Sequence, residues 1–531
     1  MNRHAEIALS FSGGGFRAAM FHLGTLHYLH HLQYEDGSRF LDDVNTISTI
    51  SGGSITGLWY MMHVCKDHDV KDCIKELYEI LITFDLPSRA IDAITCDCID
   101  RCSLIREMVE LYDSMLFHGE TFNTIQDKID KQHVHHFSAN GTDFSSGLAF
   151  RFQASRKILN AEPQYSRGVI GNNKHKLPWS IAGQIKLSEI LAVSSCFPGG
   201  FEPMKFPADF AFSQKPMNAD FVKESLPFDI MDGGIVDNQG IEPILLASAQ
   251  MTYDNPEAQG DIKYPSHDII IVSDVANAQL GEYNKFNIDL WKWLSLKKLN
   301  IIAVIFVLVP LVCGWLSYKY QCPIGFGASL ATFIIFSIVG FLLCWLESKL
   351  FSFIKKTAPF EVKKGAIKRL KFYKVGRLAE SRLNSLLRLA QTVFMKPIRQ
   401  MRYNALYQND RWKNRCISNN IGELSSHGSW KWKKGFPEYL KPSDEMMANS
   451  DLANSFGTTL WFTEEDKTNG IPEALFISGQ YTICMNLLEY IEKIKQNNDN
   501  TTTFHVRLIT LEKTLKSDWD AFQKNPKALM I

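Results

Sequence analysis

The chain has 531 residues, of which 45% are hydrophobic. Its 57 Lys and Arg residues balance 57 Asp and Glu residues, so its formal net charge is zero. The length exceeds one typical domain, and the apolar fraction excludes a chain too polar to bury a large core. Although the net charge is zero, positive residues are concentrated in one segment, which follows the most apolar part of the sequence.

The first predicted element is an apolar strand that ends in three glycines, in the stretch IALSFSGGGFRAAM from Ile7 to Met20. Gly13, Gly15 and Ala18 match GxGxxA, the spacing that brings a dinucleotide pyrophosphate to a helix N-terminus. Glycine amides at a strand-to-helix junction can also hold the oxyanion that forms during acyl transfer. This stretch alone leaves both interpretations open.

The second predicted strand and helix read VNTISTISGGSITGLWYMM, from Val44 to Met62. A dinucleotide site requires Asp or Glu at the end of this strand, which instead ends in Ser51, Gly52 and Gly53. A β-branched run that breaks into S-G-G before an apolar helix is typical of a nucleophile elbow. Ser51 is therefore the candidate nucleophile, beside the Gly52 amide and a helix dipole that favours negative charge. Ser-Gly pairs after strands also occur as ordinary loops.

Residues 70–132 have a largely helical, cysteine-bearing pattern, which predicts a cap near the cleft. Their one cysteine cluster, Cys96, Cys98 and Cys102, lacks the fourth ligand that a structural zinc site needs. The chain has 11 cysteines, an odd number, and its N-terminus shows no secretory signal. Reduced thiols in a cytosolic setting are therefore expected. We expect neither a metal nor a cofactor.

The third informative stretch is PFDIMDGGIVDNQGIEPI, which places Asp232 at the end of a short apolar run and before two glycines. Together, the motifs G-G-G-F-R, S-G-G and D-G-G resemble those of the patatin-like phospholipase family. SANGTDFSSGLAFRF and AVSSCFPGGFEPM are similar to two further segments of that family. FISGQYTICMNLLEYI, near the C-terminus, resembles the helix that closes the domain in larger bacterial members.

The resemblance implies an α/β three-layer sandwich with a mainly parallel central sheet. It also implies a Ser-Asp dyad without histidine, in which Asp232 takes the proton of Ser51 as it attacks an ester carbonyl. Burial against apolar neighbours would raise the pKa of Asp232 towards that of a useful base. The residues implied to form the oxyanion hole are Gly13, Gly14, Gly15 and Gly52. Those implied to support the site are Arg17, which steadies the glycine loop, with Gly53, Gly233 and Gly234.

Two positions depart from the family pattern. Thr49 replaces the first glycine of the usual GxSxG elbow, and Ala18 replaces the last glycine of the first loop. Alanine is the better helix former at position 18. A threonine at position 49 requires that the neighbouring helix leave room for its side chain. Neither change removes a catalytic atom, but both leave open an altered rate or substrate.

A Ser-His-Asp triad also remains open, because the chain contains 15 histidines. In the chain order of the α/β-hydrolases, the histidine follows the acid. Only His267, His427 and His505 follow Asp232, and none lies in a recognisable loop.

Two uncharged apolar runs, Leu299 to Tyr318 and Gly325 to Leu346, predict a transmembrane helical hairpin. As helices, each would be about 30 Å long, which matches the hydrocarbon core of a bilayer. Lysines flank the outer ends of the two runs, whereas the short link between them contains only Lys319. Positive flanks favour the cytoplasmic side, so both termini and the catalytic domain are predicted to be cytoplasmic.

Residues 355–415 contain 17 Lys or Arg against three acidic residues, a net charge of +14. Leucines and aromatic residues alternate with this charge, as in an amphipathic helix. Beside a membrane span, such a segment predicts contact with anionic lipid headgroups. A solvated helix face or a nucleic-acid patch is the alternative, and the neighbouring bilayer favours lipid over nucleic acid.

The sequence therefore predicts a patatin-like catalytic domain at 1–290, a hairpin insertion at 291–356, a basic helical region that completes the domain at 357–495, and a final segment at 496–531. The predicted function is a membrane-anchored phospholipase or lysophospholipase that cleaves acyl esters of membrane phospholipids from the cytoplasmic side. An acyltransferase with the same acyl-enzyme, or a degenerate membrane-docked scaffold, is the alternative. Homo-oligomers through the hairpin are a further expectation.

Overall fold

The structure is a computed structural model that describes residues 5–84, 103–156, 169–254, 267–276, 296–320, 393–497 and 502–531, with isolated positions between 334 and 389. The chain divides into two compact units. The first comprises Met1–Leu280 together with Ala390–Ile531, and the second comprises Gly281–Leu389. The first unit holds the sheet and the candidate site.

The strands come from both parts of the first unit. Their bounds are β1 Ile7–Phe11, β2 Val44–Ile50, β3 His136–Asp143, β4 Leu148–Ser155, β5 Ile170–Gly171, β6 Lys176–Leu177, β7 Met204–Phe206, β8 Phe228–Asp232, β9 Ile269–Asp274 and β10 Cys416–Asn420. The main sheet has the order β10-β9-β1-β2-β3-β4-β5-β6, and β8 pairs with both β3 and β7. β1 and β2 are buried along their whole length, as expected for strands covered on both faces.

The sheet is mixed, which corrects the expectation of a mainly parallel one. The half from β10 to β3 is parallel, whereas β4 to β6 and the pairings of β8 are antiparallel. The physical reason is that Phe144 to Gly147 form a short turn, which can join only antiparallel neighbours, whereas parallel strands need long crossovers.

The helices lie on both faces of the sheet. Their bounds are α1 Gly15–His31, α2 Gly52–Cys65, α3 Val70–Thr83, α4 Leu104–Tyr112, α5 Asn123–Gln126, α6 Trp179–Ala182, α7 Leu187–Ser195, α8 Ala219–Glu224, α9 Gly234–Asp237, α10 Ile241–Asp254, α11 Leu296–Lys319, α12 Met395–Tyr407, α13 Asp444–Ser455, α14 Glu464–Thr468, α15 Ile471–Asn497, α16 Thr503–Thr510 and α17 Glu512–Lys524. Within the predicted cap, the described residues are largely helical.

Side-chain alternation along β1 divides the core between the two faces. Leu9 and Phe11 pack into the large cluster that includes α1, α2 and α15. Ala8 packs into a smaller cluster with Ile244 of α10 and Leu406 of α12. Helices therefore cover the sheet on both faces, which is the expected three-layer α/β arrangement.

The C-terminal helix α15 crosses α1 at very short range. A Cβ atom added at Gly24 of α1 would overlap the backbone of Phe476, and one added at Gly479 of α15 would overlap the backbone of Phe21. Glycine at both positions lets the two backbones touch. Residues far beyond the catalytic motifs are therefore packed against the helix that follows the first glycine loop.

The predicted hairpin falls in the second unit. Helix α11 covers the first predicted span, and the second span lies outside the described residues except for isolated positions. Among the residues that were described, no helix is found that is long and apolar enough to cross a membrane. The structure thus gives the hairpin no support, and it remains a prediction. Most of the basic segment, up to residue 392, likewise lies outside the described residues.

Candidate active site

Ser51 occupies a sharp turn between β2 and α2. Its backbone has φ 49° and ψ −122°, a conformation that a non-glycine residue adopts only when its surroundings enforce it. The turn stands at the N-terminus of α2, as the sequence predicts for an elbow. The residue as a whole is 9% exposed.

Asp232 meets Ser51 because two strands end against each other along one edge of β3. Strand β2 runs parallel to β3 and ends at Ile50, opposite Asn140. Strand β8 runs antiparallel to β3 and ends at Asp232, opposite Gly141. Since Asn140 and Gly141 are adjacent, the carboxyl ends of β2 and β8 meet head to head. The residues that follow or finish these strands are therefore neighbours.

Ser51 and Asp232 line the same cavity, and Ser51 is a polar neighbour that lowers the pKa of the Asp232 carboxyl group. Burial raises the pKa of Asp232 to about 6, against the lowering effect of hydrogen bonds from the Gly234 amide and from Ser51. The Gly234 amide lies 2.6 Å from Asp232 Oδ1. Two hydrogen bonds hold the main chain of Asp232. Its amide donates to the Cys196 carbonyl at 3.0 Å, and its carbonyl accepts from Thr142 Oγ1 at 2.8 Å.

The two glycine loops are in direct backbone contact. A Cβ atom added at Gly52 would lie 2.6 Å from the nitrogen of Gly15 and nearer still to its carbonyl oxygen. Within the part of the chain that the structure describes, the amides of Gly14, Gly15 and Gly52 have no recorded acceptor. The Gly13 amide differs, since it donates to the Asn238 carbonyl at 3.0 Å. Gly13 is therefore not a free oxyanion donor, which corrects that part of the expected set.

The supporting glycines are required by close backbone approach. A Cβ atom at Gly53 would lie 2.6 Å from the carbonyl oxygen of Phe11, and one at Gly233 would overlap the carbonyl of Asn140. One at Gly234 would lie 2.9 Å from Asp232 Oδ1. No side chain fits at these positions unless the loops move.

A line of hydroxyl groups lies behind the elbow and was not predicted from the sequence. Thr49 Oγ1 lies 3.0 Å from Ser54 Oγ, which lies 2.8 Å from Ser194 Oγ. Ser194 Oγ donates to the Asn140 carbonyl at 2.7 Å and accepts the Ser51 amide at 2.9 Å. Each hydroxyl has one proton, so Ser54 donates to Ser194 and Ser194 donates to Asn140, while the Thr49 hydroxyl lies within reach of both Ser54 and the Ser138 carbonyl, the latter at 3.3 Å.

This network also accounts for the unusual threonine of the elbow. A Cβ atom added at Gly57 of α2 would lie 2.2 Å from Thr49 Cγ2. The glycine in the helix thus provides the space that the methyl group of Thr49 occupies. The pairing of a threonine at 49 with a glycine at 57 was a signal present in the sequence, eight residues apart.

Ser51, Asp232 and the first glycine loop line one cavity of about 440 Å³. Residues from the C-terminal part of the first unit form much of the rest of its wall, and the sequence reasoning missed them. They are Met395, Lys396 and Arg399 of α12, with Ser455, Phe456, Gly457, Thr458 and Leu460. Arg17 also lines the cavity, and its Nη1 donates to the Phe456 carbonyl at 2.8 Å. Arg17 therefore ties the glycine loop to this wall.

Histidine is absent from the described residues that line the cavity. His267 is instead buried, with its Nε2 2.8 Å from Thr46 Oγ1, and burial lowers its pKa to about 3. In the described ranges, no group of three or more His, Cys, Asp or Glu side chains could hold a metal ion. The cluster of Cys96, Cys98 and Cys102 lies outside the described residues.

Residues 9–245 match the family model of the patatin-like phospholipases. A search of curated proteins gives no match. Among solved structures, human GIVD cytosolic phospholipase A2 is similar at 12% identity and a TM-score of 0.32, over 51% of this chain and 43% of that one. This chain thus matches less than half of the phospholipase A2 chain. VipD from Legionella pneumophila is similar at 11% identity and a TM-score of 0.27, over 99% of this chain and 81% of that one.

Proposed function

We propose that Ser51 and Asp232 cleave acyl esters of membrane phospholipids, a proposal supported by the match of residues 9–245 to the family model of the patatin-like phospholipases. The observation that carries the proposal is that Ser51, on its sharp turn, lines one cavity with Asp232, a buried carboxylate whose pKa burial raises to about 6. A carboxylate with the usual pKa near 4 is a weak base, whereas one near 6 is mostly ionised at pH 7 and still accepts a proton readily.

In the first half of the reaction, Ser51 Oγ attacks the ester carbonyl and its proton moves to Asp232. The oxyanion that forms is stabilised by the free amides of Gly14, Gly15 and Gly52. Each such donor typically contributes a factor of about a hundred or more in rate. Asp232 then returns the proton to the departing alcohol, which leaves an acyl group on Ser51.

In the second half, a water molecule takes the place of the alcohol and attacks the acyl group. Asp232 accepts a proton from this water as the new bond forms. As the oxyanion collapses, the bond between the acyl carbon and Ser51 Oγ breaks, Asp232 returns its proton to Oγ, and the fatty acid is released. The same carboxylate acts as base and then as acid in each half, so the mechanism requires no third side chain.

We also propose that the hairpin of 299–318 and 325–346 anchors the chain in a membrane, with both termini and the catalytic domain cytoplasmic, and that copies associate through it. The uncharged length of both runs and their flanking lysines support this. On α11, the apolar side chains of Val304, Leu308 and Val312 are about half exposed. The basic segment 355–415 would add contact with anionic headgroups, so liposome binding should weaken as salt rises.

The decisive experiment compares the purified protein with its Ser51→Ala and Asp232→Asn variants on defined phospholipids, with released fatty acids measured by mass spectrometry. Wild type should release acid and label with a fluorophosphonate probe. Both variants should lose at least a thousandfold in rate, and Ser51→Ala should not label. Circular dichroism provides the control for folding.

Other outcomes point to the alternatives. Acyl transfer to a lipid alcohol without release of free acid would indicate an acyltransferase. Wild-type protein that neither labels nor turns over any ester would favour a scaffold. Full activity of either folded variant would remove the dyad.

A further inference from the structure

The cavity that holds Ser51 is positively charged. Among its described lining residues, the charged side chains are Arg17, Lys396, Arg399 and Asp232. With Asp232 ionised, they carry a net charge of +2. Lys396 and Arg399 belong to α12, which lies outside the residues 9–245 that match the family model.

Arg17 is a buried cation that lacks an acidic hydrogen-bond partner. It is 7% exposed, and its Nη1 donates to a neutral group, the Phe456 carbonyl. Its Nε is buried without a hydrogen-bond partner in the described part of the chain. Burial, and then the nearby charge of Arg399, lower the pKa of Arg17 to about 10, against the raising effect of the Asp274 carboxylate. A desolvated guanidinium beside a second cation is stabilised by an anion.

Arg399 has an acidic neighbour that it shares with other groups. Its Nη2 lies 3.4 Å from Asp274 Oδ1, and Asp274 also accepts from Tyr403 Oη at 3.1 Å and from Gln239 Nε2 at 3.3 Å. The Arg399 Nε is buried and has no partner among the described residues. Two guanidinium groups therefore line one cavity, and the acidic group near them, Asp274, also accepts hydrogen bonds from Tyr403 and Gln239.

The neighbouring arginine of α12 provides a contrast. Arg402 forms an ion pair with Glu242 at 2.5 Å and does not belong to the cavity wall. The cations of this helix thus fall into two groups. Arg402 pairs α12 with α10, whereas Lys396 and Arg399 line the cavity that Ser51 also lines.

We propose that Lys396 and Arg399, together with Arg17, bind the phosphate of the lipid whose ester is presented to Ser51. The substrates would then be acyl lipids that carry a phosphate, in preference to neutral glycerides. Guanidinium groups suit this role because their planar N–H donors match phosphate oxygens in pairs. The inference rests on the proposed function, since the ester must lie at Ser51.

The test uses full-length protein and two monoacyl substrates that differ only in the headgroup, palmitoyl lysophosphatidylcholine and monopalmitoylglycerol. The measured quantity is the ratio of kcat/KM for the phosphate-bearing ester to that for the neutral ester. Lys396→Gln and Arg399→Gln should each lower this ratio by about tenfold, mainly through KM, since each removes a charge-assisted contact. Arg402→Gln is the matched control on the same helix and should leave the ratio unchanged.

A ratio unchanged in both variants, or an equal loss on both substrates, would overturn the proposal. A second outcome would also overturn it. If inorganic phosphate changed the rate of monopalmitoylglycerol hydrolysis, and Arg399→Gln abolished this effect without changing the kcat/KM ratio, the cations would bind free phosphate instead of the lipid phosphate.

A binding measurement separates this inference from the catalytic proposal. Calorimetry measures the affinity for lysophosphatidylcholine of three proteins: Ser51→Ala alone, Ser51→Ala with Arg399→Gln, and Ser51→Ala with Arg402→Gln. The affinity should be lower in the variant that also carries Arg399→Gln and unchanged in the one that also carries Arg402→Gln. If wild type cleaves neither ester, the catalytic proposal fails while this result still decides the phosphate site. Equal affinity in all three proteins would refute it.

Discussion

Replacing Gly57 by alanine should disturb the nucleophile elbow from behind. Gly57 lies inside α2, and the added Cβ atom would be 2.2 Å from Thr49 Cγ2 and 3.2 Å from Thr49 Cβ. Real carbon atoms do not approach to 2.2 Å, so α2 and β2 must move apart. Ser51 lies between them, and its strained turn would move with them.

The expected cost follows from two opposing effects. Overpacking a buried site costs about 1–3 kcal/mol. Alanine in a helix interior is better than glycine by about 0.5–1 kcal/mol. Gly57→Ala should therefore destabilise the fold by roughly 1–2 kcal/mol. Thr49→Ser removes the clashing methyl group and keeps the hydroxyl, so Gly57→Ala should become neutral or stabilising in that background.

The assay is a double-mutant cycle. Free energies of unfolding by denaturant are measured for wild type, Gly57→Ala, Thr49→Ser and the double variant, together with ester hydrolysis. Gly457→Ala provides a stability control, since its added Cβ atom meets no heavy atom within 4 Å. The coupling energy should be about 1–3 kcal/mol, and hydrolysis by the double variant should exceed that by Gly57→Ala.

Equal destabilisation by Gly57→Ala in both backgrounds would refute this reasoning. The space beside Gly57 would then not be the reason that the elbow accommodates Thr49.

Three further predictions concern the acid and the hydroxyl line. The value of kcat/KM should rise about tenfold per pH unit up to pH about 6 and level off above it, because the proposed base, Asp232, must be ionised and its pKa is about 6; a profile flat down to pH 4 would exclude this role. Because burial raises the pKa of Asp232, ionising this group costs the folded state stability as the pH rises from about 4 to 6. Above pH 6, the free energy of unfolding of Asp232→Asn should therefore exceed that of wild type by up to about 3 kcal/mol. An equal free energy of unfolding there would contradict the burial argument. Ser194→Ala leaves the Ser51 amide without its acceptor and should lower kcat more than it changes KM, with an unchanged pH profile; a pure KM effect would exclude a positioning role.

Much of the local structure at the site follows from short sequence patterns. The alternating run before Gly13 and the β-branched run before Ser51 form β1 and β2, and both end at the predicted glycine loops. Asp232 ends β8, as its apolar run predicts. These features depend on backbone preferences of neighbouring residues, which a single sequence displays.

The wall of the cavity could not be read in this way. The sequence assigns residues 355–415 to a lipid-facing amphipathic segment, yet within the described residues Arg399 and Arg402 approach Asp274 and Glu242. These acidic partners lie more than 100 residues earlier in the chain. Charge density in a segment indicates that partners exist, but it carries no information on which distant groups they are.

The sequence by itself determined which residues stand at the ends of strands, because glycine, β-branched and apolar patterns act over a few neighbouring positions. Only the tertiary structure decided that β2 and β8 end against adjacent residues of β3, so that Ser51 and Asp232, 181 positions apart, line one cavity. It alone also engaged the Gly13 amide with Asn238. The physical reason is that pairing between distant strands depends on the packing of the whole sheet, which no local pattern encodes.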